Sequence, residues 1–213
     1  MSRKDIKAKR QKKIKHILEK ATEAFADKGY SGVSTNEIAD LAGISKRSMY
    51  YYMGDKDTLY SSVINEILEV GGAFLAKKGN NWDQLTSSEK LHYFIKSVAQ
   101  IGKNNTIHSI VVRELLSGGE FLPEDFITRS MGLIVDFFRD ILDEGIEKKE
   151  FHSINPLIGA LMILSFFVYW KMTIPHIQDT SEYYDYIKIF GVDVSDALID
   201  EVHGMFYKLL TTE

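Results

Sequence analysis

Apolar residues recur at helical intervals along most of this chain, and the breaks between stripes fall at glycine, proline and capping residues. Ile14, Ile17, Leu18, Ala21 and Phe25 stand at i, i+3, i+4, i+7 and i+11, the inner face of an amphipathic helix that closes at Asp27-Lys28-Gly29-Tyr30. Ile38, Leu41 and Ala42 share one face of a short second helix, for which Thr35 is the expected N-cap. Gly43 stops it, because a residue tolerant of left-handed backbone is needed there. Ile44 fills the corner, and Ser45 is placed to cap a third helix whose inner face carries Met49. Gly54-Asp55-Lys56-Asp57 then breaks and restarts the chain into a long helix through Leu59, Val63, Ile64, Ile67 and Leu68.

The remainder reads as five or six more helices. One follows Ser87-Ser88 with Leu91, Phe94, Ile95 and Val98 inward, and one runs from Thr106 to Leu116, closed by Gly118-Gly119 and Pro123. A long helix spans about Glu124 to Lys149. Asn155-Pro156 opens another, an N-cap followed by proline at the first helical position, which ends near Thr173. A short segment from Glu182 to Phe190 precedes a last helix, begun by Asp193 or Ser195 and carrying Leu198, Val202, Phe206 and Leu209. With 3 prolines in 213 residues and few alternating runs, the fold class is all-α.

The third helix brings chemistry into the picture. Its outer face shows Ser45, Lys46, Arg47, Ser48, Tyr50 and Tyr51, which are cations, hydroxyls and stacking rings of the kind that reach phosphates and base edges in a major groove. Read as a helix-turn-helix, Thr35 to Tyr52 makes a DNA-binding module of residues 1–56. A surface hairpin with solvated charges is the plainer alternative. Charge distribution favours the first reading, because residues 1–56 hold 13 lysines and arginines against 7 acidic residues, a net of +6 in a chain of net −4. The basic run at the N-terminus (Arg3, Lys4, Lys7, Lys9, Arg10, Lys12, Lys13, Lys15) is either the solvated start of a helix or a flexible arm reaching phosphates or the minor groove.

These residues resemble the TetR-type (TetR/AcrR) family of bacterial transcriptional regulators. The resemblance rests on Ile17-Leu18 with Ala21 and Phe25, on Gly29-Tyr30, and on Thr35-x-x-Ile38-Ala39-x-x-Ala42-Gly43-Ile44-Ser45-Lys46. It continues through Met49-Tyr50-Tyr51-Tyr52 and Lys56-Asp57-x-Leu59. It covers about residues 11–71; Met53 departs from a usual Phe, and Gly54 from a basic or small polar residue. The resemblance implies Tyr50 and Lys56 on phosphates and Ser45, Lys46, Arg47, Ser48 and Tyr51 at or near base edges; Thr35 is also expected among the DNA-binding residues. It also implies residues 57–213 as a helical effector-binding and dimerisation domain, with operator DNA, a second copy and a small-molecule effector as partners. The sign it implies is repression. Effector binding would pivot the long fourth helix and change the spacing of two recognition helices, set about 34 to 36 Å apart for successive major grooves.

Several expectations concern the C-terminal part. Leu157 to Trp170 is hydrophobic nearly all round, broken only by Ser165, and reads as too short to span a bilayer. A central core helix and a shared interface are the two readings, and the dimer seam is expected at Leu157, Ala160, Leu161, Leu164, Val168, Leu198, Val202 and Phe206. An effector pocket is expected from Phe94, His108, Arg113, Phe137, Met162, Phe166, Tyr169 and Trp170, with Asn105 as a further polar anchor; each of the aromatics is equally a core residue. Cysteine is absent and no histidine pair at i, i+4 sits with a carboxylate, so neither a disulfide nor a metal site is expected. No phosphate loop, His-Glu-x-x-His or Gly-x-Ser-x-Gly pattern occurs, so neither an enzyme nor a cofactor is expected. The start Met-Ser-Arg-Lys lacks the apolar core of a signal peptide, so a cytoplasmic location with no membrane partner is expected. The alternative function is a DNA-binding protein of the same fold that answers to a protein partner or acts architecturally.

Overall fold

Capping residues decide where the helices begin. The computed structural model describes residues 2–77, 81–103, 105–177, 184–191 and 193–211. Helix α1 (Arg3–Lys28) opens on a capping box in which the Ser2 hydroxyl accepts from the Asp5 N–H and the Asp5 carboxylate accepts from the Ser2 N–H at 2.8 Å. The basic run is therefore helical from Arg3 onward, which corrects the flexible-arm alternative. Helix α2 (Thr35–Leu41) is capped by Ser34, not Thr35: the chain is still extended at Ser34, whose hydroxyl accepts from Glu37 N–H at 3.2 Å, while Thr35 is already the first helical residue. Ser45 caps α3 (Lys46–Met53) as expected. Gly43 ends α2 at φ +63, and Gly54 ends α3 at φ +75, ψ −145, backbone in which a side chain is strained. That accounts for glycine at position 54.

The chain continues through α4 (Lys56–Ala76), α5 (Ser87–Lys103), α6 (Asn105–Leu116), α7 (Phe126–Glu147), α8 (Pro156–Thr173), α9 (Tyr184–Phe190) and α10 (Asp196–Thr211), with short 3-10 turns at Trp82–Gln84 and Ile174–His176. Glu182, the expected start of the short segment, lies outside the described residues. Ser195 caps α10, accepting from Leu198 N–H at 3.1 Å. No strand occurs among the described residues.

Packing cuts the chain differently from the expected functional boundary at residue 56. One compact unit comprises Met1–Glu69 with Asn105–Phe126; the other comprises Val70–Asn104 with Ile127–Glu213. The first core gathers Ile17, Ala21 and Phe25 of α1, Ile38 and Ala39 of α2, Met49 and Met53 of α3, and Leu59, Val63 and Ile64 of α4; Ile107 and Ile110 of α6 join them. Two polar links also hold α6 there. Arg113 donates to the Phe25 and Asp27 carbonyls at 3.2 Å each, satisfying the C-terminal end of α1, and Gly29 leaves room for it. Buried Glu114 accepts from the Tyr60 hydroxyl at 2.6 Å.

The second core is built on α5, α7, α8 and α10, with Phe94, Phe138 and Phe167 among its largest fully buried side chains. Asn155 caps α8 by accepting from Leu157 and Ile158 N–H at 3.0 and 3.2 Å. A Cβ on Gly159 would lie 2.6 Å from the Phe138 ring, so glycine there is what lets α8 cross α7 closely. The helical segment Pro156–His176 is long and apolar enough to cross a membrane by length and composition, with 22% of its window buried. The apolar run itself ends at Trp170; the segment is longer because the helix continues through Lys171 into the 3-10 turn.

Candidate nucleic-acid interface

Helix α3 is anchored from within and open on its outer side. Met49 and Met53 point into the first core and Ile44 packs against it, so Lys46, Arg47, Tyr50 and Tyr51 are turned to solvent, the two rings 54% and 70% exposed. Ser45 is exposed and Ser48 half-buried; their hydroxyls lie 3.0 Å apart, and the Ser45 oxygen also accepts the Ser48 N–H at 3.2 Å. Much of Ser45's hydrogen-bonding capacity thus goes into starting the helix.

Two cations of α1 stack on rings of α3. The Arg10 guanidinium lies 5.9 Å from the Tyr51 centroid, and the Lys13 ammonium 5.6 Å from that of Tyr52. Sequence reading placed neither contact. Lys56, at the first turn of α4, lies 4.2 Å over the Tyr30 ring.

Beside α3 is a surface cleft of about 620 Å³, lined by Ser31, Gly32, Val33, Ser34, Thr35, Glu37, Tyr50, Asp55, Lys56 and Asp57. Helices α2 and α4 both start at its wall. Its three carboxylates are each engaged locally. Glu37 pairs with Lys28, and that hydrogen bond holds its carboxyl below the usual range. Asp55 is held low by the Thr58 hydroxyl and N–H. Asp57 accepts from the Tyr30 phenol, a bond that pushes the phenol up to about 12. Of the residues expected to touch DNA, Thr35, Tyr50 and Lys56 thus come together at one cleft, whereas Lys46, Arg47 and Tyr51 stand on the exposed face of α3.

The expected effector residues fall in both compact units. Phe94 and Phe137 are core side chains whose rings meet at 5.9 Å. Phe166 and Trp170 pair at 5.7 Å, with the Trp170 indole nitrogen buried and unbonded, while Met162 and Tyr169 are exposed. His108 and Arg113 belong to the other compact unit, where Arg113 serves the end of α1. The side chain of Asn105 lies outside the described residues. No group of three or more histidine or acidic residues among the described ones is arranged to hold a metal.

The expected seam divides in the same way. Ala160, Leu198, Val202 and Phe206 are buried inside their own unit and serve its fold. Leu157 and Leu161 are exposed, and Leu164 and Val168 half-buried. The exposed apolar surface also takes in Ile158, Met162, Phe166 and Tyr169 on α8, with Met205, Tyr207 and Leu209 on α10; of these, Met162, Phe166 and Tyr169 are residues expected in the effector pocket. A helix apolar on all sides has no periodicity to mark its inner face. Gly159, Ile163 and Phe167, at i, i+4 and i+8, turn out to be that face.

Residues 17–63 match the family described as bacterial regulatory proteins, tetR family. The HTH-type transcriptional regulator RutR of Escherichia coli (strain K12) is 25% identical over 152 residues, covering 71% of this chain and 70% of RutR. The probable acrEF/envCD operon repressor of the same organism is 26% identical over 149 residues, 65% of this chain and 64% of that protein. Among solved structures, a HlyIIR mutant protein matches 96% of this chain and 100% of its own at TM-score 0.66 and 22% identity. AibR in complex with isovaleryl coenzyme A and operator DNA matches 91% and 97% at TM-score 0.61 and 19% identity. The structural neighbours share the fold.

Proposed function

We propose that this chain, whose residues 17–63 match the bacterial regulatory proteins of the tetR family, is a sequence-specific DNA-binding transcriptional regulator, a cytoplasmic homodimeric repressor released from its operator by a small-molecule effector. The observation that carries the reading is α3, locked inward by Met49 and Met53 while Lys46, Arg47, Tyr50 and Tyr51 are presented outward. Lys46 and Arg47 suit base edges; Tyr50 and Lys56, at the cleft where α2 and α4 begin, suit phosphates. The work done is binding and release rather than catalysis. That AibR was solved with isovaleryl coenzyme A and operator DNA supports an organic effector held within the helical region beyond the DNA-binding module. Coupling of ~1–3 kcal/mol between the sites changes occupancy about 5–150-fold.

The test is duplex binding. Sequences enriched from random duplexes by the purified protein are titrated across salt concentrations. A log–log slope near −0.9 for each phosphate neutralised supports the reading, and a flat salt response overturns it.

A further inference from the structure

We propose that the first three turns of α1 are a second DNA-contact element, a rigid basic rail beside the recognition helix. This rests on the reading of α3 above. Positions 7, 10, 14, 17, 21 and 24 follow one another at alternating steps of three and four, a single seam along the helix. Ile17, Ala21 and Ala24 of that seam are buried and Ile14 packs against the same core. The same seam continues toward the N-terminus as Arg10 and Lys7, both exposed. The side of α1 that seals the module thus changes from apolar to cationic where the helix outruns its core.

The contacts agree with this. Arg10 stacks on Tyr51 and Lys13 on Tyr52, rings that belong to the helix read as entering the duplex. Neither cation has a carboxylate partner among the described residues, whereas Lys20, further along the same helix, pairs with Glu23 at 2.7 Å. The capping box at Ser2 holds the rail helical, so its charges are presented in order. Lys7 to Lys13 covers about 9 Å of helix axis, while a duplex carries one phosphate charge per ~1.7 Å, so the three cations face several phosphates. The occupant is the duplex backbone flanking the groove that receives α3. Lys4, Lys12 and Lys15 lie around the other side of α1, whereas Lys9 flanks Lys13.

Two triple variants with equal loss of charge test this. In Lys7→Ala/Arg10→Ala/Lys13→Ala, the salt slope should shrink by about 2 to 3 per protomer and affinity at fixed salt should fall more than tenfold. In Lys4→Ala/Lys12→Ala/Lys15→Ala, the slope should change by less than about 1. Circular dichroism checks that α1 stays helical in both. Equal losses in the two variants would mean diffuse charge rather than a rail and overturn the proposal. A steep wild-type slope untouched by the first triple would overturn it while leaving α3 as the reader. A flat wild-type response would remove the reading of α3 itself.

Discussion

Helices α3 and α8 both hold large side chains in water, and they differ in what surrounds those side chains. On α3, Tyr50 and Tyr51 end in hydroxyls and are flanked by Lys46, Arg47 and, from α1, Arg10. On α8, Leu157, Ile158, Leu161 and Met162 are exposed on a segment with no charged residue from Pro156 to Trp170. Rings with polar tips are tolerated in water, and nearby cations ready them for an anionic partner. Contiguous aliphatic surface is unfavourable at about 25 cal/mol per Å² and calls for a cover. We propose that the first kind of exposure serves DNA and the other a second copy of the chain.

Charge placed on the two sides of the apolar region sharpens this contrast most. Phe206 is buried in α10, so Phe206→Glu puts a carboxylate into the core and should cost more than ~4 kcal/mol, read as lost cooperative melting. Leu161→Glu alters only exposed surface, so melting should persist while sedimentation at micromolar concentration drops from a dimer to the 24.3 kDa chain. If wild type and Leu161→Glu sediment alike, α8 is not the seam. Partition of the wild type into lipid vesicles would make Pro156–His176 a membrane element instead.

On α3 the effects should be smaller and selective. Arg47→Ala should relax preference at one base pair by about 1–3 kcal/mol, whereas Lys56→Ala should weaken all duplexes alike. Mobility-shift titrations on single-substitution operators separate the two. Uniform weakening by Arg47→Ala would move that residue from base edge to backbone.

Capping offers a finer check. Ser34→Ala should cost about 1 kcal/mol in thermal unfolding of the first unit, and Thr35→Ala distinctly less, because only Ser34 bonds the Glu37 N–H. Reversed effects would restore Thr35 as the cap.

The smallest expected effect is with pH, in the second unit. Burial pushes the His203 imidazole below its ordinary 6.5, so the folded unit binds fewer protons there than the unfolded chain. Its stability is thus complete above about 6.5 and declines as pH falls below that value. Glu144, held low by hydrogen bonds from Lys148 and then Lys90, adds a second decline once pH drops below its ordinary 4.5. Melting temperature against pH should show both steps, and His203→Gln should remove only the first.

Much of this was legible because it is local. A stripe at i, i+3, i+4 or a cap bonding three residues onward needs no knowledge of the rest of the chain. The outer face of α3, the stop at Gly43 and the start of α8 at Asn155-Pro156 therefore stood in the sequence. Even there, choosing between neighbouring hydroxyls at Ser34 and Thr35 required the backbone angles.

By itself the sequence determined an all-helical chain, the helix-turn-helix and its cationic outer face, since periodicity and capping are contacts within a turn or two. Tertiary structure alone decided that α6 packs with the N-terminal helices, that Arg113 closes α1 across 88 positions, that Phe206 faces inward while Leu161 does not, and that Arg10 meets Tyr51. Each of those depends on which surfaces far apart in the chain bury one another, and an all-round apolar helix or a run of lysines carries no periodic mark of its partner.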